Sequence, residues 1–560
     1  MKDYTASVYL TASLQCVPRL LGLLDRNPVS GTYGCFDRNY WHYKIVDFSN
    51  GRQQEAALTL ALLYTIDHEK NVYYNQEKIK SWSLAAVNFL THIQNNDGTF
   101  NEYYPHEHAF VTTAFVTYAA SEALLLLREY PSEVVEALAK AGKFLLTRHE
   151  LEVVNQNLGA AVALSNVYTV TNDETFKKGA HKKLELSLKR QSPEGWFYEY
   201  GGPDIGYLSV AASYLGHYYR KTQHDTALSG LKKAVHFLSH FLHPDGTAGG
   251  EYASRNTVYV VPDGIEICAQ HSGYGSYAAY HTRTQLLNGG VSPFHLDDRY
   301  LCNMLYTYLY AYCVCNPVKK TEPKSAFFSE SGLLVKKSKD FTFIANLRKG
   351  GVCKLFRNGH VVLSDSGVVG RLSDGRMVSS QWLGTQFTID KNKNTDENKN
   401  TDENKNTDEN KNTDENKNTD ENKNTDQYTV TGSLVVVPEQ EMTPLKTIAM
   451  RTSLSLGGKH ISNFAKKYLR KWLITQKSII PVQFSRKITV GTDTVHITDT
   501  VNTESNILFK ELYLLDHAAL IYIPSSRYFQ SSELKTPLRL TNNLAESFNK
   551  EKEITLNRAF

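Results

Sequence analysis

The chain has 560 residues, and its 62 basic and 58 acidic side chains leave a formal net charge of +4. This length is enough for two or three domains, and a charge so close to zero argues against nucleic acid as a partner. Tyrosine is abundant, with 34 Tyr against 5 Trp. A flat ring that carries a hydroxyl suits the surface of a sugar, although tyrosine is also common in structural roles.

The seven cysteines are scattered from Cys16 to Cys353 and form no Cys-x-x-Cys pair, which favours reduced thiols in a reducing compartment. The first residues show no basic region leading into an apolar run, as a signal peptide would. We therefore expect a cytoplasmic protein for the sequence as written, with export from an upstream start codon as the alternative. The sequence contains no Gly-rich phosphate loop and no His-Glu-x-x-His motif, so we expect neither a cofactor nor a metal.

Helix-period patterns dominate from about residue 5 to residue 314. Segments that begin at Gln54, Trp82, Phe115 and Leu231 place apolar residues at i, i+3, i+4 and i+7, as amphipathic helices do. The longest apolar stretch runs from residue 110 to residue 127 and contains Glu122. It is therefore predicted to be a core helix, and the chain is expected to have no membrane span.

A turn made of an acidic residue and glycine occurs three times in this region, at Gly98, Gly195 and Gly246. Each turn leads into a loop that contains an acidic residue and at least one aromatic residue. Glycine supplies the positive φ that closes a helix. The turns are separated by about 50 residues or twice that, which suits one helical hairpin per repeat. The repeat predicts an α/α toroid whose loops gather at one mouth and line one cleft.

The pattern changes after Pro317 to alternation with period two, with β-branched residues and turn signals. Such segments begin at Gly332, Asp340, Val352 and Ser485. The predicted fold class is α+β multidomain, with a toroid at residues 1–316 and an antiparallel β-sandwich at residues 317–560. The repeat Asn-Lys-Asn-Thr-Asp-Glu, within residues 391–427, is too polar to bury a core. We predict a disordered insert in a β-hairpin, produced by replication slippage or kept as a functional tail.

The first candidate site segment, residues 102–108, contains Tyr104, His106 and His108. These side chains suit sugar contact or proton transfer, with structural hydrogen bonding as the alternative. Two histidines without a third ligand nearby are a weak metal signal. In an extended loop they would point to opposite sides.

The second segment is a Gly-rich loop that opens a helix and holds Trp196, Glu199, Tyr200, Asp204 and Tyr207. Its aromatic rings offer stacking surfaces, and its carboxylates accept hydrogen bonds from sugar hydroxyls. The alternative for Glu199 is that it caps a helix or pairs with an arginine.

Two further segments carry polar candidates. In one, which also holds Glu251 and Asn256, Arg255 suits bidentate pairing with a substrate carboxylate, or it pairs with Glu251 inside the fold. In the other, Asn155 and Asn157 open an Ala-rich helix, where an N-cap role is the alternative.

The order of these features resembles the heparinase II/III-like polysaccharide lyases and their relatives in exopolysaccharide gene clusters, which pair an α/α toroid with a β-sandwich. Residues 155–157 look like the family's Asn, which neutralises a uronate carboxylate. Residues 194–199 followed by Tyr207 resemble its Asp-Gly, Glu and Tyr-His segment, and residues 356–367 resemble its Asn-Gly and Asp-x-Gly strand pair. Leu208 replaces the family's His after the Tyr, and residues 348–351 replace a His-rich segment. These departures weaken the case for a metal site and for a His base at the family's positions, and they are compatible with elimination by Tyr.

The resemblance implies cleavage of an acidic, uronate-containing polysaccharide by β-elimination. Asn157 or Arg255 would neutralise the uronate carboxylate, and Tyr207, Tyr104 or His106 would act as base. The expected glycan contacts beyond these are Trp196, Glu199, Tyr200, Glu251, Asn256 and His108.

Three alternatives stay open at the level of sequence. Proton return from the opposite face would make the protein a C5-epimerase. A glycoside hydrolase would use two facing carboxylates from Glu199, Asp204 and Glu251. A glycan-binding or assembly protein in exopolysaccharide production would need no catalysis.

Overall fold

The computed structural model describes residues 7–391, 426–438, 443–470, 478–516, 534 and 539–560. Helices occupy the chain up to Val314, and the first strand begins at Ala326. The helices of the first part are α1 (Ser7–Leu23), α2 (Arg38–Trp41), α3 (Ala56–Thr65), α4 (Glu77–Ile93), α5 (Phe110–Leu127), α6 (Ser132–Thr147), α7 (Val154–Thr171), α8 (Glu174–Leu188), α9 (Ile205–Thr222), α10 (Asp225–Ser239), α11 (Asp263–Ala269), α12 (Gly273–Leu287) and α13 (Asp298–Val314). A 3₁₀ helix, Gly51–Glu55, precedes α3.

The helices form an inner and an outer layer, and the sequence shows why. α10 is amphipathic: it buries Leu231, Ala234, Val235 and Leu238 at helical spacing and exposes the lysines between them, so it belongs outside. α5 and α7 are buried almost all round. Among the inner helices, α3, α5, α7, α9, α11 and α13 contact one another in that order, and α13 contacts α3. The inner layer therefore closes into a ring.

α5 is the one described helix that is long and apolar enough to cross a membrane, but 78% of it is buried inside the protein. It packs against α3, α6 and α7. Such contacts on several sides are those of a core helix.

The acidic-glycine turns adopt the predicted backbone. Gly98, Gly195 and Gly246 have φ values of 85°, 109° and 94°, which confirms the positive φ expected for them. At Gly98 a Cβ atom would lie 2.5 Å from the carbonyl oxygen of Lys140. Close packing of the turn against the next outer helix therefore also requires glycine.

The second part of the chain forms an antiparallel sheet of twelve strands among the described residues. They are β1 (Ala326–Phe328), β2 (Leu333–Lys337), β3 (Phe341–Asn346), β4 (Val352–Arg357), β5 (His360–Leu372), β6 (Met377–Ser379), β7 (Gln386–Lys391), β8 (Asp426–Val436), β9 (Ser478–Val490), β10 (Val495–Asn502), β11 (Phe509–Asp516) and β12 (Glu553–Ala559). Their order is β1-β2-β3-β4-β5-β6-β8-β9-β10-β12, with β11 on β5 and β7 on β8.

Strands β2 to β4 separate two hydrophobic cores. Leu333, Val335 and Ile344 pack into the core of the helices, whereas Leu334 and Phe343 pack into a second core within the sheet. Because side chains alternate along a strand, a strand buried on both faces reads as a continuous apolar run. The helices and the sheet therefore share a buried interface.

The sequence interpretation of the second part as all-β is wrong in two places. A 27-residue helix, α14 (Pro444–Arg470), lies between β8 and β9, and a short helix, α15 (Ala545–Glu551), precedes β12. β7 and β8 pair with Lys391 opposite Asp426. The predicted disordered insert falls almost entirely between them, at residues 392–425, outside the described residues.

Candidate active site

A polar, aromatic pocket of about 60 Å³ lies between the inner helices. Five of its lining residues are tyrosines, and Arg52 and Asn155 add a guanidinium and an amide. The lining residues are Arg52, Phe115, Asn155, Tyr207, Val210, Ser213, Tyr214, Tyr259, Val261, Tyr300, Asn303, Met304, Tyr306 and Thr307. The chain therefore brings aromatic faces and hydrogen-bond donors together at one point.

A larger cleft of about 890 Å³ lies nearby. Its walls come from the segment between α2 and the 3₁₀ helix, from the loop before α5 and from α14. The lining residues are Asp37, Asn39, Lys44, Ile45, Val46, Asp47, Phe48, Asn50, Glu102, Tyr103, Tyr104, Thr447, Met450 and Arg451. A residue of α14, Arg451, pairs with Asp47 at 2.5 Å.

A charged cluster joins the pocket to the cleft. Arg52, which lines the pocket, donates from Nε to Glu55 Oε1 at 2.6 Å, and its Nη1 lies 4.0 Å from Oε1 of Glu102, which lines the cleft. Arg299 also pairs with Glu102. Burial raises the pKa of Glu55 to about 7, although Arg52 opposes the shift.

Tyr207 reaches the pocket from the first turn of α9. Asp204 caps this helix by accepting from the backbone N of Tyr207 at 3.1 Å, as an N-cap residue does. The other carboxylate oxygen accepts from the backbone N of Arg255 at 3.0 Å, and the hydroxyl of Thr257 also donates to Asp204. Asp204 thus fixes Tyr207 relative to the loop that follows α10.

Asn155 is held in the pocket by Glu199. Oε1 of Glu199 accepts from the side-chain Nδ2 of Asn155 at 2.8 Å and from its backbone N at 3.3 Å. Oε2 has no hydrogen-bond partner among the described residues. Burial raises the pKa of Glu199 well above its ordinary value, against the effect of these hydrogen bonds. Glu199 therefore accepts a backbone hydrogen bond in the first turn of α7, as the capping alternative predicts.

Asn157 does not line the pocket. It is fully buried and donates from Nδ2 to the carbonyl oxygen of Lys183 at 3.1 Å and to Ser187 Oγ at 2.9 Å. Two residues along a helix turn the side chain by about 200°. Asn155 therefore occupies the pocket position for which the sequence interpretation selected Asn157.

The first predicted segment is divided between two roles. Tyr104 lines the cleft, and burial raises its pKa. His106 is exposed, while His108 lies with Nδ1 3.0 Å from Asp97 and 2.9 Å from Thr99 Oγ1. Both histidines have positive φ, 57° and 50°, so the loop is not extended at these two positions. The short loop is instead folded back on its own turn.

Arg255 is buried and lies over the ring of Tyr200, with 4.3 Å between Cζ and the ring centroid. Its Nε and Nη1 have no hydrogen-bond partner in the described ranges. Glu251 does not pair with it but with Lys354 of β4, at 2.9 Å. Arg255 lines neither the pocket nor the cleft.

Trp196 and Asn256 are also buried. Trp196 donates from Nε1 to Glu194 at 2.9 Å, and Asn256 accepts from Lys349 Nζ at 2.8 Å. Of the predicted site residues, Tyr207 lines the pocket and Tyr104 lines the cleft; the others support the surrounding loops or lie outside. Within the described residues no group of three or more His, Cys, Asp or Glu side chains is arranged to hold a metal.

The sequence interpretation missed Arg52 and most of the tyrosines of the pocket. One signal for them is present in α13, where Tyr300, Asn303, Met304 and Thr307 follow the spacing i, i+3, i+4 and i+7. A stripe of mixed polar and aromatic residues at that spacing places one helix face against a polar cavity.

No family model matches the chain, and no curated protein sequence matches it. Among solved structures, it is similar to a chondroitin AC lyase of Streptomyces coelicolor A3 in complex with chondroitin sulphate. The TM-score is 0.52 and the identity 11%, over 91% of this chain and 68% of that chain. A Paenibacillus xanthan lyase gives a TM-score of 0.49 and 10% identity, over 92% of this chain and 47% of that one. A heparinase III gives a TM-score of 0.40 and 12% identity, over 88% of this chain and 71% of that chain. The first similarity shows a shared fold; the chain spans about half of the xanthan lyase.

Proposed function

We propose that the protein is a polysaccharide lyase that cleaves an acidic, uronate-containing glycan by β-elimination, on an α/α toroid joined to a β-sandwich. The observation that carries the proposal is that Tyr207, Asn155 and Arg52 line one pocket. These residues supply a proton-transfer group, a neutral donor and a cation. The chondroitin AC lyase is similar in fold alone, so it adds support for the architecture and none for the residues.

The first task of such a site is to make the C5 proton of the uronate acidic. Neutralising the adjacent carboxylate does this, because negative charge develops on it as the proton leaves. Arg52 offers a guanidinium, and Asn155 offers a side-chain N–H that Glu199 orients. Both donors are held before substrate arrives, so little reorganisation is needed.

The second task is proton transfer. No lining residue of the pocket is a histidine, so we assign both proton steps to Tyr207. Its phenolate removes the C5 proton, the C4–C5 double bond forms, and the C4–O bond breaks. The departing oxygen then takes the proton from the Tyr207 hydroxyl. One residue serves as base and then as acid when both groups lie on the same face of the sugar.

The test is incubation of the purified protein with a panel of uronate polysaccharides, followed by ultraviolet absorbance of the unsaturated product. We expect Tyr207→Phe to lower the rate by roughly 10²–10⁴-fold, since this is what a general acid–base group contributes. The control is Tyr130→Phe, an equal change at an exposed tyrosine. A Tyr207→Phe variant as active as the parent would remove this residue from the mechanism.

Glycan binding without catalysis is the second candidate, because the pocket is small, about 60 Å³, beside a cleft of about 890 Å³. Under that hypothesis the polymer lies in the cleft, and the protein serves binding or assembly in exopolysaccharide production. Retained affinity with no unsaturated product from any polymer would favour it. Hydrolysis is less well supported, because no Asp or Glu lines the pocket and glycosidases use two carboxylates.

A further inference from the structure

Lys349 is a buried lysine of the sheet that contacts the helical part of the chain. It lies in the turn between β3 and β4 and is 1% exposed. Its Nζ donates to the carbonyl oxygens of Glu251 at 2.7 Å and Ala253 at 2.6 Å, and to Oδ1 of Asn256 at 2.8 Å. One ammonium group therefore holds a loop of residues 250–257 at three points.

The turn that carries Lys349 has little freedom. Gly350 and Gly351 both have positive φ, 68° and 71°, and a Cβ at Gly350 would lie 2.3 Å from the carbonyl oxygen of Ser380. Asn346, at the end of β3, donates to the carbonyl oxygen of Tyr252 at 2.7 Å. The sheet therefore presents Lys349 to the loop from a fixed backbone.

The same loop forms hydrogen bonds to Glu199 and Asp204, the two residues that position Asn155 and Tyr207 in the pocket. Ser254 donates from Oγ to the carbonyl oxygen of Glu199 at 2.8 Å, and Glu199 holds Asn155. The Arg255 backbone N donates to Asp204, which caps the helix of Tyr207. Two short hydrogen-bonded routes thus lead from the loop to the pocket.

We propose that Lys349 is a positioning residue through which the sheet sets the loop of residues 250–257, and with it Asn155 and Tyr207, for elimination. The inference rests on the proposed function. The three hydrogen-bond partners of Lys349 do not line the pocket, so Lys349 acts by fixing the geometry of residues that hold the lining residues. A displacement of about 1 Å at a reacting group costs roughly 10²-fold in rate.

The test compares Lys349→Met with Lys487→Met, the same change at an exposed lysine of β9. We expect kcat of Lys349→Met to fall by about 10²-fold with KM changed by less than about threefold, because Asn155 and Tyr207 lose alignment while the cleft stays intact. Lys487→Met should keep the parent kcat. An unchanged kcat in folded Lys349→Met overturns the proposal, as does a change confined to KM.

Hydrogen exchange separates this inference from the proposed function. In Lys349→Met, amides of residues 198–210 should exchange faster than in the parent, together with those of the loop. If the parent makes no unsaturated product from any glycan, the proposed function fails, and exchange alone decides the structural coupling. Faster exchange in the loop but not in residues 198–210 overturns the structural coupling. Should Lys349→Met fail to fold, Lys349→Gln, which keeps two N–H donors, takes its place in both measurements.

Discussion

At the scale of single residues, Asn155 and Asn157 lie two positions apart, but we expect their replacement to have different effects. Asn155→Ala removes a pocket donor, and we expect the rate of elimination to fall by roughly 10²–10³-fold, as when a donor to developing charge is lost. Asn157→Ala removes the amide bonded to Lys183 and Ser187. We expect it to cost about 1–3 kcal/mol of unfolding free energy and little activity, because buried partners lose their hydrogen bonds.

Each variant is the control for the other, measured by turnover at a temperature where both are folded and by urea unfolding. A loss of turnover in Asn157→Ala with Asn155→Ala unaffected would restore the assignment made from the sequence. The pattern Asn-x-Asn indicates that a polar residue opens the helix. It does not indicate which of the two faces the pocket, because that depends on where α8 packs.

The sequence also does not show which arginine, Arg52 or Arg255, faces the pocket. Arg255 is a candidate from sequence because a guanidinium suits bidentate pairing with a substrate carboxylate, but burial and stacking on Tyr200 keep it out of the pocket. Nothing in the sequence around Arg52 marks it as a site residue, since it is the single basic residue before an apolar helix. Its position at the pocket follows from long-range contacts with Glu102 and Phe115, and a single sequence carries no signal for contacts of that kind.

At the scale of elements, a buried ionic cluster joins strands β5, β9, β10 and β12. Arg486 pairs with Asp365 at 3.1 Å and with Asp499 at 2.6 Å, and Arg558 contacts both carboxylates. Buried ion pairs add little net stability, yet loss of one partner leaves an uncompensated charge. The cluster therefore fixes how the four strands meet.

We expect Asp365→Asn to lower the free energy of unfolding by about 3–5 kcal/mol, the cost of breaking a buried pair. Denaturant unfolding at neutral pH measures it. The control is Asp374→Asn, which removes an exposed pair with Arg376 and should leave stability unchanged. Equal stability of the two variants would contradict the argument.

The contribution of Asp365 should also depend on pH. Burial alone would raise its pKa, but the charges of Arg486 and Arg558 outweigh burial and hold the pKa below its ordinary value. For an acid with a lowered folded pKa, stabilisation is complete above the unfolded pKa of about 3.9 and is lost as the pH falls below it. The difference in unfolding free energy between the parent and Asp365→Asn should therefore stay constant from pH 7 down to about 4 and shrink as the pH is lowered further, as measured by denaturant unfolding.

Helices and strands were predictable to different degrees. Amphipathic helices such as α10 and alternating strands such as β10 follow from hydrophobic period alone. The positive φ at Gly98 and its two counterparts followed from turn chemistry. The sequence does not indicate α14, because this helix follows a long polar repeat in a β-rich region and carries adjacent glycines at 457 and 458, which weaken a helical pattern.

At the scale of the whole molecule, the helices and the sheet are joined by buried polar contacts as well as by apolar ones. Lys354 of β4 pairs with Glu251 of the helical part at 2.9 Å, and both side chains are less than 10% exposed. We expect the parent to unfold in one cooperative transition and Lys354→Met to be less stable by about 3–5 kcal/mol, with the two parts unfolding separately.

Calorimetry distinguishes these outcomes, since two independent parts give two heat-absorption peaks. Lys336→Met is a suitable comparison, because Lys336 is about one third exposed and pairs with Asp426 inside the sheet. A single unshifted peak for Lys354→Met would show that the apolar interface alone joins the two parts.

The grip of Lys349 and Lys354 on the loop after α10 has a consequence for biosynthesis. The ribosome completes the pocket-forming helices at Val314, and Lys349 and Lys354 follow about 35 to 40 positions later, or about 2–8 s at elongation rates of about 5–20 residues per second. Throughout that interval the nascent helical ring lacks the contacts of Lys349 and Lys354 with residues 250–257. A chain released early, by a stop codon between Val314 and Lys349, would carry every residue that lines the pocket but neither lysine, and we expect it to be exposed to proteolysis.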